Sequence, residues 1–379
     1  MRKVSIITII DNNNFGTFLQ AFALCKKIEQ LGAKPELVDY CRPHMSWKYS
    51  FKRIFQTVHN PLKILSRLLS LWQSNKIHQK NRKFIHQYLS SHSCESIEDI
   101  KRTVSADVYM TGSDQVWNSI HNRGLDKVFY LDYAPQSAPR VAYAASIGMP
   151  QFQEYEKEET KTLLEKYNMI TLREQSSIEL LSDLGLDKSK LHAVLDPTLL
   201  LNKEEWKRQI ILPRLHKEKY LLVYSVETKE QNNVIESVAE KIAKERNLKI
   251  VGVYYGGAYG RMKCCDYNHH YATPDVFLSL MYHADYVVVS SFHGTAFSVN
   301  FNKEFITVMP DRFNSRVLNL LTKIDTTDRI VKTADCDLRS IKPLDYGHVN
   351  EILDRERSES IGFLEQMTSV SDKSKTTIL

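Results

Sequence analysis

Asp285-Tyr-Val-Val-Val-Ser-Ser-Phe-His-Gly-Thr-Ala-Phe-Ser-Val-Asn-Phe301 is the stretch that decides the fold. Tyr286 to Val289 has the apolar, β-branched character of a buried strand, and it stops at Ser290-Ser-Phe-His-Gly-Thr295. In an open α/β sheet ligands bind beyond the carboxyl ends of the strands. Thr295, Ala296, Phe297 and Ser298 read as the first turn of a helix whose free N–H groups face an anion. His293 sits at that mouth, where a side chain titrating near neutrality can pass a proton or, when charged, hold a phosphate. A histidine that merely caps the turn is the alternative.

Working outward, strand, turn and helix alternate along most of the chain. Val4 to Ile10 reads as a central strand, Asp11 to Gly16 as a turn, Thr17 onward as a helix closed by Gly32, and Glu36 to Tyr40 as the next strand. Further strands are expected at Asp107–Thr111, Val141–Ser146, Met169–Arg173 and His192–Leu195, with helices at Gln151–Tyr167 and Ser176–Leu184. A second series follows: strands at Tyr220–Ser225, Lys249–Tyr254, Tyr286–Val289 and Glu304–Val308, and helices at Lys229–Arg246, Pro274–His283 and Ser315–Lys323. This succession predicts an α/β protein of two tandem doubly wound, Rossmann-like domains with a cleft between them. The expected divisions are 1–205, 206–340, and a C-terminal helix with a frayed polar tail over 341–379.

With 379 residues, 42% hydrophobic and 25% charged, the chain has the composition of a globular protein and the length for two domains. No apolar run approaches the roughly 20 residues that cross a bilayer, and the run after Met1-Arg2-Lys3 is too short for a signal-peptide core. A cytoplasmic location is therefore expected. The six cysteines show no C-x-x-C spacing and are expected as reduced thiols.

The net charge of +6 is unevenly spread. Residues 41–94 hold ten Lys or Arg, five of the thirteen His, and no Asp or Glu. Interleaved with these are Trp47, Phe51, Phe55, Leu62, Leu65, Leu69 and Trp72, a pattern of basic amphipathic helices inserted in the first domain. Such a surface suits anionic lipid head groups or a lipid-diphosphate substrate. A helical insertion whose apolar stripe packs on its own domain is the alternative. Nucleic acid is set aside as a partner, because no nucleic-acid module accompanies the charge.

Other strand ends offer further candidates. Arg173 can grip a phosphate or carboxylate in two-pronged fashion, or pair with Glu174 or Glu179 on the surface. Gly112 to Asn118 supplies donors, a carboxylate at Asp114 and a flat aromatic at Trp117, a set that suits a sugar; Asp114 as a helix N-cap is the plainer reading. Asn12, Asn14 and Gly16 can bind a ligand or simply make a tight turn. After the strand Glu304–Val308, Asp311, Arg312, Asn314 and Arg316 offer a second positive contact to an anion at His293.

Six segments carry a family resemblance: Asn14 to Leu24, Thr111 to Asn118, Ser146 to Gly148, Leu172 to Glu174, Leu195-Asp-Pro-Thr-Leu-Leu200 and Ser291 to Ser298. In this order they resemble the polysaccharide pyruvyl transferase family, over residues 4 to about 325. The resemblance implies a fold like the two-domain B-type glycosyltransferases. It also implies transfer of a pyruvyl group from phosphoenolpyruvate onto two hydroxyls of a sugar as a cyclic ketal, with phosphoenolpyruvate as co-substrate and no cofactor or metal. Within it His293 and Arg173 bind phosphoenolpyruvate, flanked by Ser291, Phe292, Gly294 and Thr295. Some members have an arginine where this chain has Ser291, so the second anion contact is assigned to Arg316. His293 then moves the proton or holds the phosphate, and Asp114 serves as base. Asn14, Gly16, Ser113, Gln115, Trp117 and Asn118 receive the acceptor, with Trp117 as sugar platform. The implied acceptor is a lipid-diphosphate-linked oligosaccharide at the inner membrane face, reached by peripheral contact through 41–94. A nucleotide-sugar glycosyltransferase of the same architecture, or a non-catalytic sugar- or anion-binding relative, are the competing readings.

Overall fold

The computed structural model describes residues 1–227, 229–254, 262–309 and 315–370. The strands of the first sheet are β1 (Lys3–Ile7), β2 (Lys34–Tyr40), β3 (Ser91–Cys94), β4 (Val108–Thr111), β5 (Arg140–Ala145), β6 (Met169–Leu172) and β7 (Leu191–Ala193). Those of the second are β8 (Tyr220–Tyr224), β9 (Lys249–Val253), β10 (Tyr267–His269), β11 (Tyr286–Val289), β12 (Phe305–Val308) and β13 (Ile330–Val331). The helices are α1 (Phe15–Gln30), α2 (Trp47–Thr57), α3 (Pro61–Tyr88), α4 (Ile97–Thr103), α5 (Ser119–Asn122), α6 (Lys157–Leu164) and α7 (Gln175–Asp183). They continue with α8 (Lys203–Ile210), α9 (Lys229–Arg246), α10 (Pro274–His283), α11 (Phe292–Asn300), α12 (Ser315–Lys323) and α13 (Tyr346–Ser369).

Both sheets are parallel throughout, in the orders β3-β2-β1-β4-β5-β6-β7 and β10-β9-β8-β11-β12-β13. Strands such as β8 (Tyr-Leu-Leu-Val-Tyr) and β11 (Tyr-Val-Val-Val) are buried along their whole length, as strands covered on both faces must be. In each sheet the chain winds outward from a central strand, then returns beside it and winds the other way. The reversals fall between β1 and β4 and between β8 and β11. These are the topological switch points where a doubly wound sheet opens a crevice, and the two Rossmann-like units turn them toward each other.

The units are joined by apolar contact beneath that crevice. Helix α1 is buried from Phe15 to Cys25, as a helix enclosed on all sides must be. Phe15 stacks on Phe277 of α10 at 4.7 Å, and Phe22 on Trp206 of α8 at 5.5 Å. Asn300 Nδ2 donates to the carbonyls of Thr198 (2.9 Å) and Leu201 (2.8 Å). Helix α13 then crosses back to the first unit, where Leu195 N donates to Ser360 Oγ (2.9 Å) and Phe363 stacks on His192.

Three expectations change. The short edge strands β3, β10 and β13 escape the pattern because they are two to four residues long, and β3 and β10 are partly polar as well. The helix expected over Gln151–Tyr167 is a turn of 3₁₀ helix at Glu154–Glu156 followed by the shorter α6. The basic insertion is smaller than 41–94, because β3 belongs to the sheet and Ile77, Phe84 and Ile85 of α3 are buried against the domain. Of the polar tail expected over 369–379, Ser369 ends α13 and residues 371–379 lie outside the described residues.

Candidate functional site

The turns after β1, β2, β4, β8 and β11 converge on a cleft of about 790 Å³, and Arg173, after β6, lines an adjoining hollow that shares Phe292 and Arg316 with it. It is lined from the first unit by Asn12, Asn14, Thr17, Arg42, Asp114 and Gln115, and from the second by Ser290, Ser291, Phe292, His293 and Arg316.

Helix α11 begins three residues earlier than its sequence suggested. Ser291 is its N-cap, with Oγ accepting the N–H of Gly294 at 3.0 Å, so Phe292 and His293 occupy the first turn. The N–H groups left at the helix mouth are therefore theirs, not those of Thr295 to Ser298. Thr295 is fully buried, its hydroxyl donating to Ser291 O (3.0 Å) and lying 3.0 Å from Thr307 Oγ1, which removes it from the donor site. Gly294 is a packing glycine: a Cβ there would come within 2.9 Å of Ser291 Oγ and Val289 Cγ1.

His293 is 7% exposed, and its ring lies against Gly16 of the other unit, where any Cβ would overlap the imidazole. Its Nε2 lies 3.8 Å from Asp196 Oδ2 and has no hydrogen-bond partner. Burial pushes the imidazole pKa below its ordinary value. Asp196 and Asp114 oppose that shift, and Arg173 and Arg316 reinforce it. Burial thus favours the neutral imidazole.

Arg173 sits at the end of β6, where Nη1 donates to Asp196 Oδ2 at 2.8 Å and Nη2 lies 3.8 Å from Asp114 Oδ1. Burial works against its charge, but Asp196, Glu174 and Asp114 together raise its pKa. Arg316, from the first turn of α12, feels burial and the Arg173 charge, which bring it down to about 10, still cationic at neutral pH. Both guanidinium groups face the Phe292 ring, at 4.8 and 5.9 Å from its centroid. Among the described residues, Arg173 Nε and Nη2, Arg316 Nε and His293 Nε2 are all buried without a hydrogen-bond partner. Leaving such a group unmade costs roughly 1–3 kcal/mol, so an anion entering here meets donors that the protein itself leaves unsatisfied. Asp311, Arg312 and Asn314 lie outside the described residues.

Asp196 is the member that the sequence reading missed. Fully buried, it accepts from Arg173, from Ser113 Oγ (3.0 Å), and from Thr198 N (3.0 Å) and Oγ1 (2.7 Å). Burial pushes its carboxyl up, yet His293, Arg173 and the Thr198 donors together bring it down to about 2. Its signal was Asp-Pro-Thr directly after a strand, a capped turn at the sheet's carboxyl edge. Arg42 was also misread as part of the basic surface. It is buried beside the cleft, gripping Asp11 through Nε (2.8 Å) and Nη2 (2.6 Å).

Of the acceptor candidates, Asn14 and Gln115 line the cleft. Asn14 caps α1 by accepting from Gly16 N at 3.0 Å, and Tyr224 reaches the same oxygen at 3.5 Å from the second unit. Gly16 serves as the seat of His293. Asp114 holds φ +78, a strained backbone, while Thr17 Oγ1 (3.2 Å) and its neighbour's N–H (2.8 Å) fix its carboxylate. Burial raises its pKa, but Arg173, His293 and Arg316 outweigh that and hold it below the usual carboxylate range. Three candidates are withdrawn from the surface. Trp117 is 1% exposed, stacked on Tyr130 with Nε1 donating to Phe129 O, so it is core and offers no sugar platform. Asn118 is buried as the cap of α5, bonded to Gln115 and Gly148. Ser113 is buried against Asp196. Among the described residues, no three His, Cys, Asp or Glu side chains gather to hold a metal.

Residues 14–312 match the family model of polysaccharide pyruvyl transferase. No curated protein matches the chain. Solved structures similar to it include UDP-GlcNAc 2-epimerase from Neisseria meningitidis bound to UDP-GlcNAc, at 10% identity over 98% of this chain and 95% of that one, with a TM-score of 0.46. HepE of Anabaena in complex with UDP and glucose matches at 8% identity over 100% of both chains, with a TM-score of 0.49. UDP-N-acetylglucosamine 2-epimerase from Rickettsia bellii matches at 12% over 97% and 98%, with a TM-score of 0.42.

Proposed function

Since the chain belongs to the polysaccharide pyruvyl transferase family and is a transferase, we propose that it moves the pyruvyl group of phosphoenolpyruvate onto two hydroxyls of one sugar, forming a cyclic ketal and releasing phosphate. The observation that carries this reading is the set of buried, unsatisfied donors on Arg173, His293 and Arg316: His293 and Arg316 line the cleft, and Arg173 of the other unit lies against the same Phe292 ring as Arg316. A ligand with a phosphate ester and a carboxylate on one carbon answers two guanidinium groups and a helix mouth together.

The chemistry balances with the residues at hand. A proton adds to C3 of the enol phosphate and C2 becomes electrophilic. The first hydroxyl bonds to C2 and loses its proton, phosphate departs carrying one proton, and the second hydroxyl closes the ring as its proton leaves. His293 takes up a proton once the phosphate dianion offsets its burial, and delivers it to C3. Arg173 and Arg316 hold the phosphate and carboxylate and stabilise the charge on the departing group. Asp114, ionised in this setting, accepts the proton of the first hydroxyl. The acceptor in this reading is a lipid-diphosphate-linked saccharide, and the reaction takes place at the inner face of the membrane.

Phosphate release assayed with phosphoenolpyruvate and candidate lipid-linked saccharides tests the reading. It predicts release that requires both substrates, with a product heavier by one pyruvate less one water. Cleavage of a nucleotide sugar without any use of phosphoenolpyruvate is the outcome that would sink it.

A further inference from the structure

Away from the cleft, the hairpin of α2 and α3 carries apolar surface that the domain leaves uncovered. Ile54, Ile64 and Leu68 are partly shielded where the two helices meet. Beside that seam α2 bears Trp47, Phe51 and Phe55, spaced one turn apart with successive ring centroids 5.0 and 5.2 Å apart. These rings are 46%, 38% and 51% exposed. Helix α3 adds Leu62, Leu65, Leu69 and Trp72, each more than half exposed. A monomer seldom leaves so much contiguous apolar surface open without a partner for it.

The charges around these stripes identify the partner. Of the ten cations in 41–94, Arg42 is locked to Asp11 and Arg82 pairs with Asp39. The other eight, among them Lys48, Lys52, Arg53, Lys63 and Arg67, are exposed, and no carboxylate lies anywhere in that segment. Among the described residues none of the eight forms an ion pair. Two copies of this hairpin face to face would set like charges against each other. No described helix is long and apolar enough to cross a membrane. We propose that the α2–α3 hairpin docks the protein onto the surface of a bilayer carrying anionic phospholipid. The aromatic and leucine stripes enter the head-group boundary, and the lysine and arginine stems extend so that their charges meet the phosphates.

Docking here has a consequence for the cleft. A groove of about 660 Å³ runs beneath the hairpin, and Asn12 and Met45 line both this groove and the catalytic cleft. An acceptor held in the bilayer surface therefore stands next to a groove that adjoins the cleft of His293 at these two residues. The docking itself does not depend on the pyruvyl-transfer reading, because its test uses no donor and no acceptor.

The test is flotation of the full chain with vesicles of equimolar phosphatidylcholine and phosphatidylglycerol, against vesicles of phosphatidylcholine alone. Binding is expected to the anionic vesicles and to weaken as salt rises. The double variant Lys52→Ala/Lys63→Ala should weaken it roughly 30-fold, about fivefold per cation. Phe51→Ser with Leu65→Ser should abolish it while thermal unfolding stays where it was, since both side chains are exposed. No flotation with anionic vesicles, or flotation that the charge variant leaves unchanged, overturns the proposal. So does a concentration-dependent dimer that Phe51→Ser/Leu65→Ser dissolves while vesicles go unbound, which would give the stripes to a second copy of the chain.

Discussion

Gly16 and His293 pack against each other across the cleft, and neither residue's sequence context announces the other. Gly16→Ala forces the imidazole aside, because the new Cβ and the ring compete for one volume; overpacking of this kind costs about 1–3 kcal/mol. The expected result is a modest fall in thermal stability with a much larger fall in turnover, and unchanged turnover would show that His293 need not sit there. Asp196 holds Arg173 at 2.8 Å and stands 3.8 Å from His293, so Asp196→Asn removes a charge that both face. Breaking a buried pair on one side costs about 3–5 kcal/mol, which chemical denaturation should register; a loss below half that would demote Asp196 to a spectator. His293 gives a test in pH. Burial lowers its folded-state pKa, so on acidification the unfolded chain takes up this proton first and stability is lost as pH falls below the unfolded value. The stability gap between wild type and His293→Gln should therefore shrink from about pH 7.5 to pH 5.5, on either side of the unperturbed value near 6.5. A gap that widens would mean that Asp196 dominates and the resting histidine is charged.

At the scale of elements, the segment Thr111 to Asn118 illustrates what sequence can and cannot reveal. Its strand, turn and polar composition were legible. Which side chains turn outward was not, because an irregular turn has no period to read. Asp114 adopts a positive φ and bridges to Ala145, and this sends Trp117 into the core beside Tyr130 and Phe129. Trp117→Ala is accordingly expected to cost about 3–5 kcal/mol as a core truncation, while Trp117→Phe should fold and keep the wild-type KM for the acceptor. A KM raised severalfold in the phenylalanine variant, with stability intact, would restore the tryptophan to the site. Helix α11 shows a milder version of the same limit. Its existence followed from the sequence, but a serine N-cap at Ser291 and a glycine inside the first turn place its start earlier than the glycine suggested. The long apolar strands were legible because burial on both faces leaves a continuous apolar run; the short edge strands were not, since exposure permits polar residues such as those of β3.

For the whole molecule, two parallel sheets in tandem followed directly from strand–helix alternation. The facing of their switch points depends on contacts distant in sequence: Phe15 with Phe277, Phe22 with Trp206, and Asn300 with the chain at Thr198 and Leu201. No local pattern encodes such contacts: His293 and Arg173 were picked out as candidates at strand ends, whereas Asp196, also at a strand end, was not, because its place between them depends on the fold. The cleft combines donors from both units, so its central claim is anion capture by a site that neither unit has alone. Calorimetric titration of phosphoenolpyruvate into the full chain tests this most directly. One site per chain is predicted, much weaker in Arg316→Ala, whose side chain is partly buried, and weaker again in His293→Gln. Absence of phosphoenolpyruvate binding, or binding that both substitutions leave untouched, would contradict it.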